Sequence, residues 1–355
     1  MVIEKTTIVY NLIAIAAEIK LFFWLSHKPK IRHIIYSLFL NSLLLITTAG
    51  ILAVLKEDIF GFFRLLSYGL FIHGLIILTG LALLLRLYLP KFAQIALFLA
   101  VIIASIGIYS FFIEPYWLEI SHYQITSHKI EKPIKIVVIA DLQTDNWTKY
   151  EENTLQIAMA QKADMILFAG DYVQEANLEK REVIFNKLNA FLQKININAP
   201  LGVYAVQGNI EPNNWAEKIF NGVPVKTFAA TETVKLDKLC LTGLVRGASF
   251  NRKLKIYGCD LYHIVLGHAP NFALGNIPAD LLIAGHTHGG QVRLPFIGPM
   301  MTASRIPRKW AAGLNNINSD RLLLVSRGIG MERRSAPRFR FLCRPELVVI
   351  DLMPA

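Results

Sequence analysis

The sequence predicts an α-helical transmembrane N-terminal region joined to a soluble α/β domain, and three observations predict it. Apolar residues make up 54% of the chain and crowd into its first third, in uncharged runs of the roughly 20 residues that a helix needs to cross a bilayer. From about Lys132 onward, short β-rich apolar runs alternate with helical patterns, as in an α/β domain. Five of those runs end in Asp, Asn or His, at the carboxyl ends of strands, where sheet-based folds place their sites.

The transmembrane region occupies residues 1–115 and holds three to four helices. Ile34–Leu55, Leu66–Leu85 and Ala93–Ile113 are uncharged throughout. Thr7–Leu25 is a fourth candidate weakened by Glu18 and Lys20; a cleaved signal peptide competes for it, although the charged leader is thin and no small-residue cleavage site stands out. Lys28, Lys30 and Arg32 follow that first stretch, and Arg86 and Lys91 follow the third, whereas the loop between carries Lys56 and Arg64 against Glu57 and Asp58. Basic loops stay in the cytoplasm, so the chain beyond Ile113 is expected on the other side of an inner or plasma membrane. Tyr116 and Trp117 suit an interfacial anchor there. His73 reads as a helix-contact residue rather than part of a proton path.

Residues 116–132 read as a linker, and the soluble domain runs over 133–355. Its expected strands are Ile134–Ala140, Asp164–Gly170, Gly202–Gly208, Lys235–Leu241, His263–Gly267, Leu281–Ala284, Arg321–Ser326 and Glu346–Leu352, with helices near Asn153–Lys162 and Arg181–Lys194. The three cysteines, Cys240, Cys259 and Cys343, form neither a CxxC pair nor an evident disulfide frame, and read as buried thiols.

The strand ends carry the chemistry. "IKIVVIAD" ends in Asp141, "DMILFAGD" in Asp171, "GVYAVQGN" in Asn209, "HIVLGH" in His268 and "DLLIAGHTH" in His286 and His288. Singly, each has an ordinary explanation as a cap, a turn or a packed core histidine. Six such groups at the ends of five strands point instead to a site. A mixed Asp, Asn and His set suits manganese, iron or zinc rather than calcium. Two such divalent ions about 3.5–4 Å apart can share a carboxylate, activate water and neutralise a phosphoryl group. His286 and His288 alternate in direction on extended backbone, so adjacent ions can each take one.

These motifs, above all GHTHGGQ at 285–291 together with the GD, GN and strand-end His, resemble the calcineurin-like metallophosphoesterases, and most closely their membrane-anchored YkuE/YaeI-type branch. The resemblance covers about residues 133–353, and the tail "SRGIGMERRSAPRFRFLCRPELVVIDL" resembles the branch's closing segment. It implies a metallophosphoesterase domain built as a two-sheet β-sandwich flanked by helices. It also implies two metal ions, with Asp171 bridging, Asp141 and His288 serving the first, and Asn209, His268 and His286 the second.

Two positions depart from the family pattern. The family's D-x-H is Asp141-Leu142-Gln143 here, which leaves Gln143, or Asp145, as an oxygen ligand for the first metal. Its G-N-H is Gly208-Asn209-Ile210, which removes the histidine that helps the leaving group depart. A hydrolase of altered catalysis and a degenerate protein that only binds metal or a phospho-ligand both fit this pattern. Arg246 and Arg327 are candidates to steady phosphoryl oxygens. Between Arg293 and Arg344, eleven basic residues face only Asp320 and Glu332, which suits an anionic substrate or anionic lipid equally. No recognition helix or aromatic-basic module appears, so nucleic acid is not expected as a partner. A membrane tether beside a phosphoester site points to a lipid-linked or envelope phosphate.

Overall fold

The computed structural model describes residues 5–318 and 320–355 and divides into two units, Met1–Phe111 with Ser335–Arg338 and Phe112–Arg334 with Phe339–Ala355. Among the described residues, four helices have the length and composition to cross a membrane: α1 (Lys5–Leu25), α2 (Ile31–Lys56), α3 (Ile59–Leu85) and α4 (Pro90–Tyr116). The stretch weakened by Glu18 is thus a full helix. Glu18 is buried and its carboxylate lies 2.9 Å from His73 Nδ1, while His73 Nε2 lies 2.9 Å from Asn11 Oδ1. The pairing removes the desolvation objection to a charge in an apolar helix. His73 sits in a π-helical segment of α3, Gly69–Gly74, and ties α3 to α1. Leu12, Phe23, Val54 and Phe98 point outward and are exposed, as lipid-facing residues are.

The second unit is built on two six-stranded sheets. In the first, β1 (Glu119–Ser127), β14 (Glu346–Pro354), β2 (Ile134–Ile139), β3 (Met165–Phe168), β4 (Val203–Ala205) and β5 (Val225–Thr227) lie in that order. The second runs β12 (Gly313–Asn318), β13 (Arg321–Val325), β9 (Leu281–Ala284), β8 (Tyr262–Leu266), β7 (Leu239–Gly243) and β6 (Glu232–Lys235). A short hairpin, β10 (Arg293–Leu294) and β11 (Gly298–Pro299), stands apart.

Strand alternation sets the layers. Ile136, Val138, Leu167, Val348 and Ile350 pack with Leu241, Ile264, Leu266, Ile283 and Leu324 between the sheets. The opposite faces, with Val137, Ile139, Phe168 and Val349, pack on Leu155 of α5 (Lys149–Ala160) and on Phe185, Leu188 and Leu192 of α6 (Leu178–Lys194). Behind the second sheet, Val265, Leu282, Leu323 and Val325 cover Phe272 and Ala273. Both faces of β2, β3, β8 and β9 are therefore buried, which is why these strands read as continuous apolar runs.

Three sequence expectations are corrected. The supposed linker holds β1, an edge strand paired in parallel with β14 over Glu119–Ser127. Its alternating polar composition, EISHYQITS, suits an edge with one side wet, and the apolar-run criterion overlooks it. The expected strand Lys235–Leu241 is a hairpin, β6 and β7, turning at Asp237 and Lys238. Cys240 and Cys259, expected as thiols, form a disulfide across 19 residues with Cα atoms 6.5 Å apart, while Cys343 is a free buried thiol.

Candidate metal centre

Every strand-end residue singled out in the sequence lies in a loop after the carboxyl end of a central strand: Asp141 after β2, Asp171 after β3, Asn209 after β4, His268 after β8, and His286 and His288 after β9. The loops are stitched to one another by backbone. Asp141 N–H donates to Gly170 O at 3.0 Å, Gln143 N–H to Asp171 O at 2.9 Å, and Gly285 N–H to His268 O at 2.8 Å. Asp141, Asp171, His286 and His288 all hold positive φ, at 50°, 56°, 71° and 48°. Such backbone costs of order 1–3 kcal/mol per residue and gathers where side chains must be aimed.

The aim is convergent. Ligand atoms of Asp171, His268 and His286 lie within 4.8 Å of one another. His268 Nδ1 is 2.8 Å from the carbonyl of Ala169, so that nitrogen carries the proton and turns Nε2 inward. There Nε2 lies 2.9 Å from Asn209 Oδ1 and 3.4 Å from Asp171 Oδ1. His286 Nε2–H points to Ala303 O at 3.1 Å, leaving Nδ1 as its lone pair. Asp171 Oδ1 also accepts from Asn209 N and Ile210 N, at 2.8 and 3.2 Å. A Cβ at Gly208 would collide with that oxygen, which explains the glycine.

Asp141 is fully buried and holds the His286 backbone, whose N–H approaches its two oxygens at 3.1 and 2.9 Å. His288 faces it across Gly328: a Cβ there would stand 2.9 Å from Asp141 Oδ2 and 3.2 Å from His288 Nδ1. That nitrogen is buried without a hydrogen-bond partner among the described residues, as is Gln143 Oε1.

The protonation pattern follows from burial and mutual charge. Burial raises Asp141 to about 7 against the pull of His268. Burial is the largest single influence on the Asp171 carboxylate and pushes it up, but His268, through charge and a hydrogen bond, together with His286 and His288 holds Asp171 below its ordinary value. For His268, burial is overcome by the carboxylates of Asp171 and Asp141, which lift it to about 9. His286, by contrast, is pressed down to about 4 by burial and by His268. Burial and then Arg340 hold His288 well below the imidazole range. Lone pairs of Asn209, Asp171 and His268 thus face one point and require positive charge there, either a proton on His268 or a cation. A donor set of carboxylate, amide oxygen and neutral imidazole, with orphaned Nδ1 and Oε1 atoms alongside, fits divalent transition metals.

The family model for calcineurin-like phosphoesterases matches residues 134–290, which include all six strand-end residues. Over that stretch the chain is similar to the calcineurin-like phosphoesterases. It is 27% identical over 263 residues to the metallophosphoesterase YkuE of Bacillus subtilis, covering 69% of this chain and 88% of that protein. To the phosphodiesterase YaeI of Escherichia coli it is 28% identical over 267 residues, covering 69% and 92%. It also resembles the UDP-2,3-diacylglucosamine pyrophosphatase LpxG of Chlamydia muridarum, at 24% identity over 61% and 83% of the two chains.

The candidate site contains residues that sequence reasoning did not single out. Glu211, buried, accepts from the N–H groups of Gly208, Tyr172 and Asp171 at 2.7, 2.6 and 3.2 Å and so locks the third loop to the second. Arg340, fully buried, donates to the carbonyls of Arg327, Gly328, Gly330 and Cys343 and anchors the closing segment under His288. Phe250 sets its ring edge-on to His286, centroids 5.0 Å apart. The arginine candidates lie off the cluster. Arg327 binds Glu346, Glu119 and Ser121, and Arg246 is exposed at the start of the turn Arg246–Ser249 that leads to Phe250. Asp145 pairs with Arg333 at 3.3 Å.

Proposed function

We propose that this phosphoesterase is anchored in the inner or plasma membrane and cleaves a phosphodiester or diphosphate bond of a lipid-linked or envelope substrate with two divalent metal ions. In this reading Asp171 would serve both ions, Asp141, Gln143 and His288 would hold the first, and Asn209, His268 and His286 would hold the second. The convergence of Asp171, Asn209 and His268 lone pairs carries the reading, because three such groups are not brought together around nothing. Bound ions would supply an activated water and neutralise phosphoryl charge. The chain's own contribution is orientation: Ala169 O sets the His268 tautomer, Asn209 and Ile210 N–H groups fix the Asp171 carboxylate, and Asp141 pins the backbone of His286. LpxG, a pyrophosphatase acting on a lipid-linked sugar nucleotide, supports the substrate class by likeness. Arg246 and Arg327 would serve the phosphoryl oxygens only by swinging toward the cluster, Arg327 by leaving Glu119 and Glu346.

The full chain purified in detergent is expected to hold divalent metal and to hydrolyse bis(p-nitrophenyl) phosphate. Stripping with a chelator should abolish turnover, and Mn²⁺ should restore it. A chain that binds metal yet turns over no diester or diphosphate would support the degenerate alternative, which Gln143 and Ile210 favour. No metal uptake at all would defeat the hydrolase reading and leave only a degenerate protein that binds a phospho-ligand.

The phosphoesterase unit is expected to lie outside the cytoplasm. The basic loops at Lys28–Arg32 and Arg86–Lys91 support this side, as does the Cys240–Cys259 disulfide, since disulfides persist in oxidising compartments. An alkaline phosphatase fusion at Ala355 should be active and a green fluorescent protein fusion dark; the reverse pattern overturns the orientation.

A further inference from the structure

Gln143 stands where the family has a metal-binding histidine, and its amide is held in one orientation by an asymmetric network. The backbone N–H of Arg333, which can only donate, lies 2.6 Å from Gln174 Oε1. That fixes Gln174 with its oxygen toward Arg333 and its Nε2 toward Glu332, to whose Oε1 it donates at 2.7 Å. Gln143 then meets two acceptors with one atom, Gln174 Oε1 and Glu332 Oε2, each at 3.0 Å. Only an NH₂ satisfies both. A flipped amide would set its oxygen against Gln174 Oε1 and the Glu332 carboxylate and take from Glu332 Oε2 the donor it has in Gln143. Arg333 Nε also donates to the Gln143 carbonyl at 3.0 Å, and Glu332 N–H donates to Gln291 Oε1 at 2.9 Å, so the network is fastened at both ends.

The consequence falls on the other arm of the amide. Gln143 is wholly buried, and its Oε1, turned away from the network, has no hydrogen-bond partner among the described residues. A buried carbonyl left unpaired costs about 1–3 kcal/mol, so a fold that spends four hydrogen bonds to hold it that way needs a reason. A cation supplies one. His288 Nδ1, similarly buried and unpaired, lies beside Asp141 in the same group of loops.

We propose that Glu332 and Gln174 are positioning residues that aim Gln143 Oε1 at the first metal, so that an oriented amide oxygen replaces the family's imidazole. The assignment rests on the two-metal reading above. Its test is a Mn²⁺ titration of the full-length protein in detergent, followed by calorimetry and by electron paramagnetic resonance, which separates an exchange-coupled pair from an isolated ion. Wild type should bind two equivalents and show the coupled signal. In Glu332→Gln an amide nitrogen can face Gln143 and release its orientation. First-site affinity should then fall about 10- to 100-fold, the range for lost outer-shell partners, with the coupled signal replaced by an isolated one and the other equivalent unchanged. Gln174→Met should act in the same direction. Gln143→His placed on Glu332→Gln supplies a ligand that needs no clamp and should restore the pair. Retention of one tight equivalent shows that the variants fold. If wild type holds two ions and both clamp variants hold them as tightly, the clamp is wrong and the two-metal reading stands. If wild type holds fewer than two, both fall.

Discussion

Replacing Asp171 with asparagine is expected to lower kcat/KM on an aryl phosphodiester by about three orders of magnitude while leaving the fold intact. The substitution keeps volume and shape, and an amide oxygen at the Oδ1 position still accepts from Asn209 N–H and Ile210 N–H, at 2.8 and 3.2 Å in the native protein. What disappears is the negative charge that stands 3.4 Å from His268 Nε2 and faces the common point of the cluster. Metal-based charge stabilisation is worth several kcal/mol, and about 4 kcal/mol corresponds to roughly 10³ in rate. Bound metal, circular dichroism and the rate are measured on one preparation. The expected pattern is an unchanged spectrum, reduced metal content and nearly complete loss of turnover. A variant within threefold of wild type would remove Asp171 from the centre of the site.

How far such a site is legible in sequence depends on where each interaction lives. Apolar runs bounded by Asp, Asn or His expose β2, β3, β4, β8 and β9 together with the candidate residues at their ends, because strand burial and strand-end chemistry are both local. The four long helices are legible for the same reason, and Glu18 misleads only because its partner, His73, lies 55 residues away. Edge strand β1 escapes because its partner is β14, at the far end of the domain, and its half-wet pattern resembles a polar linker. Cys240 and Cys259 pair only because β7 and the loop before β8 meet in space. Glu332 and Gln174 are ordinary polar residues in sequence, 158 positions apart; nothing short of the folded loops shows that they share Gln143. Glu211 was within reach. It lies two residues past Asn209, and an acidic residue beside a glycine-bearing loop invites the question of which backbone N–H groups it caps.

Hydrolysis should slow steeply as the leaving group becomes more basic, more steeply than for a phosphoesterase with a histidine beside its strand-end asparagine. Ile210 occupies that place, and its backbone N–H is bound to Asp171, so neither its side chain nor its main chain brings a proton to the departing oxygen. The nearby imidazoles do not replace it. His268 is tied through Nδ1 to Ala169 O and in the proposed centre its Nε2 would be taken by a bound ion in place of a proton, and His286 is pressed down to about 4, so it is neutral near pH 7 and has no readily lost proton to offer. An alkoxide leaves badly without that proton, whereas a phosphate, whose second pKa is about 6, leaves as it stands. General-acid help is typically worth about 10²- to 10⁴-fold, and its absence falls on alkyl esters while sparing diphosphates and aryl esters. The measurement is kcat/KM across a series of aryl and alkyl phosphodiesters plotted against leaving-group pKa, with a nucleoside diphosphate ester as the diphosphate member. Ile210→His should flatten the slope by raising rates on alkyl esters about 10²-fold or more, with little change on p-nitrophenyl esters. A wild-type series that is already flat would mean that another acid serves the leaving group, and the same substitution should then bring no gain.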